Sequence, residues 1–416
     1  MADLPVIMAT ARDQSEDMVT VLQLEANDYV TKPLDFPVVL ARIQTQLSLK
    51  RALEETRHLA AQLERRNWFI REIFGRYVTE EVVTTLLASP AGLQLGGERR
   101  QVTILMADLR GFTMLSGALA PEAVIALLNR YLGTMVEVIT QYEGTINEFI
   151  GDMILVIFGA PICYADHAPR AVACAVAMQQ AMAAVNAAQQ RAGLPEVEMG
   201  IGINTGEVVV GNIGSHKRAK YGVVGEPVNL TSRIESYTIG GQILISEATR
   251  QALGPLLTIT APLEVDAKGL DHPVSVYDVR GIGGIYNLFL PERTEALIPL
   301  PAEIPLWYTV LEGKHLSGAV WTGHFVKLAP RGGELHTDTP VPLWSDVKIQ
   351  LMDAHGEDVP GALYAKVLRH LAAQPAAVYV HFTAIPPEIA TFFQRLLAVE
   401  TRDGAASSLH PVSGAL

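Results

Sequence analysis

Two apolar runs, Thr145–Ile150 and Met153–Phe158, are separated by Gly151 and Asp152 alone. A two-residue connection of that composition is a hairpin signal, so the chain reverses there and presents Asp152 at an exposed tip. A long helical pattern, Pro121 to Tyr142, precedes the hairpin, and another begins at His167. An apolar strand runs from Val102 to Asp108 before them and from Glu198 to Asn204 after them. The order β-α-β-β-α-β over residues 98–282 is that of ferredoxin-like folds and puts this region in the α+β class.

Asp108 ends a strand whose even positions, Val102, Ile104 and Met106, share its face, so a carboxylate stands where a core side chain is expected. An unpaired acid there is costly. Directly after it, Leu109, Arg110, Gly111, Phe112 and Thr113 form a loop in which the glycine lets backbone amides approach a phosphate. Asn229 and Arg233 stand four apart and so share a face of the helix that carries them, opposite the apolar Leu230, Ile234 and Tyr237. The glycines at 206 and 211 do not make a P-loop, because Asn212 stands where that motif needs lysine.

The strings ADLRGFT, EFIGDMILVIFG and YGVVGEPVNLTSR resemble, in order and spacing, the catalytic domain of class III nucleotide cyclases. The resemblance implies that the chain converts a nucleoside triphosphate to a 3′,5′-cyclic nucleotide and pyrophosphate, with two Mg2+ or Mn2+ per site. Asp108 and Asp152 match the metal ligands, Arg233 the transition-state arginine, Asn229 the ribose-orienting asparagine and Lys268 the lysine on the polyphosphate. In that family each site lies between two catalytic domains, so a homodimer is expected.

Four residues before Asp152, adenylate cyclases of this family usually carry a lysine, and this chain has Glu148. A carboxylate accepts from the N1–H and N2–H2 of guanine, whereas adenine offers N1 only as an acceptor. By strand parity Glu148 falls with Ile146 and Ile150. The second base-reading position is Gly222, which has no side chain to accept the adenine N6 amine. The expected substrate is therefore GTP, giving cGMP. An adenylate cyclase making cAMP is the alternative within the enzyme class, and a dimeric signalling scaffold without catalysis is the alternative outside it.

At 416 residues the chain holds several domains. Residues 1–48 alternate strand and helix. PVIMATA and ANDYVTKPLD are similar to the last two strands of a response-regulator receiver, with Thr10 and Lys32 on its switch threonine and phosphate-pairing lysine. That family's acidic pair and phosphoacceptor would lie upstream, so the expectation is the C-terminal half of a receiver in which Lys32 merely ends a strand. Over 49–97 a heptad seam (Leu49, Leu53, Thr56, Ala60, Leu63, Asn67, Ile70, Phe74, Tyr77) predicts a coiled-coil linker, a means for an upstream signalling partner to reach the catalytic domain.

Residues 295–400 read as a small β-barrel-like domain resembling PilZ. Where that family carries its cyclic di-GMP string this chain reads Lys327, Ala329 and Gly332, of which only the glycine survives, and no arginine falls between Arg293 and Arg331, so no binding of that ligand is expected. Residues 401–416 read as a disordered tail.

A net charge of −12 argues against nucleic acid or an anionic membrane as partner. The most apolar stretch, Ala171 to Ala188, is interrupted by Gln179, Gln180 and Asn186 and reads as a buried helix. Cys163 and Cys174 have neither disulfide nor metal-site spacing. The expected location is the cytoplasm.

Overall fold

The longest antiparallel pairing of the computed structural model joins β3 (Gly96–Leu109) to β6 (Met199–Ser215), fourteen residues in unbroken register from Gly96↔Asn212 to Leu109↔Met199. The structure describes residues 4–11, 26–75, 94–265, 273–292, 296–312, 315–316, 319–353, 355–371, 376–386 and 388–396. These fall into two units, residues 1–83 and 84–416.

In the first unit β1 (Ile7–Thr10) and β2 (Asp28–Thr31) pair in parallel, and α1 (Phe36–Gly75) is one helix of 40 residues. Arg42 ties it to β2 through Asp28 and lies over the Tyr29 ring. The boundary expected at residue 48 therefore falls inside a continuous helix. No proline or glycine interrupts the chain between Pro37 and Gly75, so nothing ends the helix there. Leu49, Leu53 and Leu63 of the seam are all exposed. The side chains of Asn67, Ile70 and Phe74, and all of Tyr77, lie outside the described residues.

In the second unit β3 and β6 are the centre of a mixed sheet. One edge is the hairpin β4 (Thr145–Ile150) and β5 (Met153–Phe158), and the other runs through β8 (Ile243–Ser246) and β11 (Val274–Ile282) to β10 (Leu263–Val265). On one face α3 (Pro121–Gln141) and α4 (His167–Arg191) bury Leu127, Met135, Val176 and Met178 completely. Each such side chain contributes about 1.5–3 kcal/mol relative to exposure. Burial also pushes the Cys174 thiol up, while Cys163 is exposed. By length and composition α3 and α4 could cross a membrane, but 56% of the most apolar window of α4 is buried in this core.

The other face carries α5 (Glu226–Ser236), which follows the strand β7 (Arg218–Val224). Its close approach depends on Gly202 of β6, where a Cβ would lie 2.4 Å from the Glu235 backbone nitrogen. The glycines at 206 and 211 sit within β6, an extended strand and not a phosphate loop.

A six-stranded closed barrel follows: β13 (Ile298–Glu312), β15 (Trp321–Ala329), β16 (Gly332–Thr337), β19 (Ala377–Ala384), β18 (Leu363–His370) and β17 (Asp346–Leu351), closed by the pairing of β13 with β17. A helix over 388–396 buries Ile389 and Phe393 against its core, with Phe393 stacked on Phe382. Lys327, one remnant of the cyclic di-GMP string, is paired with Glu334 at 2.8 Å. Residues 401–416 lie outside the described ones.

Candidate active site

Asp108 arrives at the end of β3 on the face that carries α5, because it shares parity with the buried Val102, Ile104 and Met106. Asp152 comes from the tip of the β4–β5 hairpin. Its Oδ2 accepts from the Leu109 amide at 3.1 Å, and its carboxyl lies beside that of Asp108. Burial first, and then the neighbouring Asp108 carboxylate, push Asp152 up to about 7. Two carboxyls brought together at half-buried positions form a donor set that a divalent cation fits, since the ion would compensate both charges. Among the described residues no cluster of three or more His, Cys, Asp and Glu side chains forms a metal site. The set therefore suits a cation such as Mg2+, which takes one or two carboxylates and completes its shell with water and substrate phosphate.

The Arg110 side chain takes a place of its own in the site, one that its neighbours in sequence do not announce. It turns inward, 10% exposed, to pair with Asp108 at 3.1 Å and with the buried Glu235 of α5, and reaches the Thr238 carbonyl at 3.4 Å. Burial opposes its charge, but Glu235 and Asp108 outweigh that and raise it further. Burial pushes Glu235 up to about 7 despite the arginine beside it.

The phosphate loop narrows as well. The Leu109 amide is committed to Asp152 and the Arg110 amide to the Glu198 carbonyl at 2.8 Å, which leaves Gly111, Phe112 and Thr113. Gly111 has φ 69°, a left-handed turn into the short helix α2 (Phe112–Ala118). A Cβ there would also lie 2.7 Å from the Thr383 carbonyl of β19, so the barrel rests directly on this loop. Arg331 pairs with Glu198, Lys366 donates to the Ser236 carbonyl at the end of α5, and Trp344 meets Tyr237 edge-on. Glu235 was legible only as an acid on a helix; Lys366, 130 residues from its partner, gave no local signal.

The face on which Glu148 lies is also corrected. Asn147 is an extra residue in β4: Ile146 pairs with Val156 and Glu148 with Leu155. The bulge reverses the parity, so Glu148 shares the face of Ile150 and Leu155 and not that of Ile146. It thereby points to the Asp108 side of the sheet. Gly222 lies in β7 opposite Gly211, and a Cβ there would meet nothing closer than 3.7 Å. Asn229 is exposed and Arg233 half-buried on α5, and among the described residues no carboxylate pairs with Arg233. Lys268 lies outside the described residues.

Residues 97–281 match the family described as "Adenylate and Guanylate cyclase catalytic domain". Adenylate cyclase 1 of Rhizobium meliloti (strain 1021) is 33% identical over 214 residues, half of this chain and 32% of that protein. An adenylate cyclase of Anabaena cylindrica is 34% identical over 222 residues, half of this chain and 42% of that protein. The chain thus spans about a third to two fifths of these curated relatives. Among solved structures, the guanylyl cyclase Cya2 is 57% identical, covering 47% of this chain and 100% of that one, with a TM-score of 0.47. The segment from 97 to 281 is a catalytic domain of the adenylate and guanylate cyclase family.

Proposed function

We propose that the chain is a guanylate cyclase that forms cGMP and pyrophosphate from GTP at sites shared by two copies. The observation that carries the reaction is the convergence of the Asp108 and Asp152 carboxylates at the mouth of the Gly111 turn. Cyclisation joins the ribose 3′-oxygen to the α-phosphorus, breaks the bond to the β-phosphate and releases the hydroxyl proton. Two divalent cations held by Asp108 and Asp152 would lower the pKa of that hydroxyl and neutralise the leaving pyrophosphate.

The free amides of Gly111, Phe112 and Thr113 would receive phosphate oxygens. Arg233 would meet the charge that builds on the α-phosphoryl group, and Asn229 would orient the ribose. Asn229 is exposed and Arg233 half-buried on α5, which leaves both within reach of a second copy. Lys268 is proposed on the polyphosphate from the sequence resemblance alone.

Glu148 supports guanine: it lies on the metal face of the sheet, where an acid accepts from N1–H and N2–H2. The names of the curated relatives favour the second reading, an adenylate cyclase. Purified protein given equal GTP and ATP with Mn2+ decides between them. The expected result is cGMP in excess of cAMP by about tenfold or more, the discrimination one good bidentate contact supplies. ATP as the faster substrate overturns the guanylate assignment, and activity that survives Asp152→Ala overturns the cyclase mechanism.

The seam on α1 and the barrel would carry regulation, as a dimerising linker and a PilZ-like module. The two N-terminal strands are proposed as receiver-like and the protein as cytoplasmic.

A further inference from the structure

Lys366 lies in β18 between Ala365 and Val367, both buried in the barrel core, so strand alternation points the lysine out of the barrel. It is nevertheless only 3% exposed. Its ammonium meets α5 there, donating to the Ser236 carbonyl, and Asp346 of β17 lies 3.6 Å away. Burial pushes the pKa of the ammonium down, so a charge kept at this place has a cost that these partners offset.

The last turn of α5 gives the contact its weight. The final carbonyls of a helix have no partner within it. Here the Arg233 carbonyl accepts from Ser236 Oγ at 2.7 Å, the Ile234 carbonyl from the Tyr237 amide at 3.3 Å and the Glu235 carbonyl from the Thr238 amide at 2.9 Å. The Ser236 carbonyl accepts from Lys366, 130 residues away in the barrel. A cation at this end also faces the negative pole of the helix. Trp344 of the barrel packs beside the same helix, against the cluster that holds Ile234 and Leu230. Arg233 stands three residues before Ser236, within the turn that Lys366 closes.

Resting on the shared-site reading above, we propose that Lys366 is a positioning residue for Arg233: by closing the last turn of α5 from the barrel, it holds the arginine where the metal half of a second copy needs it. It touches neither substrate nor metal. Its effect therefore passes to the site that its own α5 completes, and not to the site that its own Asp108 and Asp152 form.

The test mixes full-length Asp108→Ala and Arg233→Ala chains and assays them with Mn2+ on GTP and, separately, on ATP. The one intact site of a mixed dimer takes its metal carboxylates from the Arg233→Ala chain and its arginine from the Asp108→Ala chain. Lys366→Met added to the Asp108→Ala chain should lower the recovered kcat by about tenfold or more, the scale on which misplacing a catalytic group acts. The same change in the Arg233→Ala chain should leave recovery within about twofold, which also shows that the variant folds. Lys366→Gln, which keeps an N–H for the carbonyl, should lose less, and in the first arrangement only. Equal losses in both arrangements would make Lys366 a general structural residue, and a loss confined to the Arg233→Ala chain would route its effect through Arg110 to Asp108. Either result overturns the proposal with the shared site intact. No recovery by the parent pair overturns the shared-site reading itself, and the proposal falls with it.

Discussion

The two halves of the candidate site are built in opposite ways. On the metal side every charged group has a partner within the chain: Asp152 takes the Leu109 amide, Asp108 takes Arg110, Arg110 takes Glu235, and the barrel rests on Gly111. On the α5 side Asn229 is exposed and, among the described residues, no carboxylate pairs with Arg233, while the Glu148–Lys220 pair is partly open to solvent. The first half is finished within one chain and held rigid. The second is presented outward, as a surface that still has something to meet. If Arg233 serves as proposed, an internal pair would have to break first, so its outward placement suits that role.

The strongest way to break this contrast is to disable each half in a separate chain. Asp108→Ala and Arg233→Ala should each lose about a thousandfold or more of cyclase activity. Mixed in equal amounts and allowed to exchange, they should recover about a quarter of wild-type activity, since half the dimers are mixed and each mixed dimer keeps one intact site of two. An absence of recovery, with exchange verified by size-tagged chains, would mean that both halves serve the same chain.

That asymmetry also governed what could be read from the sequence. Asp108 and Asp152 were legible because each breaks a local rule, an acid on a core face and an acid at a two-residue turn, and local rules are written in neighbouring residues. The hairpin, both long helices and the barrel character of the last hundred residues were legible for the same reason. The pairing of Arg110 with Glu235 was not legible because the two stand 125 residues apart and the glycine at 202 lets that helix come close. The face of Glu148 was misread because a one-residue bulge at Asn147 leaves no compositional trace and reverses every parity argument that crosses it.

Stability should separate the halves next. Arg110→Met removes the guanidinium between Asp108 and the buried Glu235 and should cost about 3 kcal/mol in chemical denaturation, the usual penalty for stranding a buried charge. Adding Glu235→Leu should return much of that loss, because both ends of the pair are then apolar. Arg233→Met, the same chemical change on the outward half, should move stability by about 0.5 kcal/mol or less. Comparable costs for the two arginines would erase the distinction between a structural and a presented charge.

The smallest effect expected is a pH dependence confined to the metal half. Asp152 titrates near 7 in the folded chain and near 4 when unfolded, so the metal-free fold binds the proton more tightly than the unfolded chain does. The stability this confers is fully present below about pH 4 and is lost as pH rises through 7, a fall of about 1–2 kcal/mol after allowing for partial solvent exposure. Glu235, also near 7, adds to the slope in the same direction, so the informative quantity is the difference between wild type and Asp152→Asn in the presence of a chelator. The variant should have the shallower decline between pH 5 and 8, and Arg233→Ala should reproduce the wild-type slope. Adding Mn2+ should reverse the wild-type trend, because the cation competes with the proton for the same carboxylates and wins as pH rises. A wild-type slope left unchanged by Asp152→Asn would mean that the Asp152 carboxyl is not pushed up by its surroundings, and the metal half would lose the feature that sets it apart.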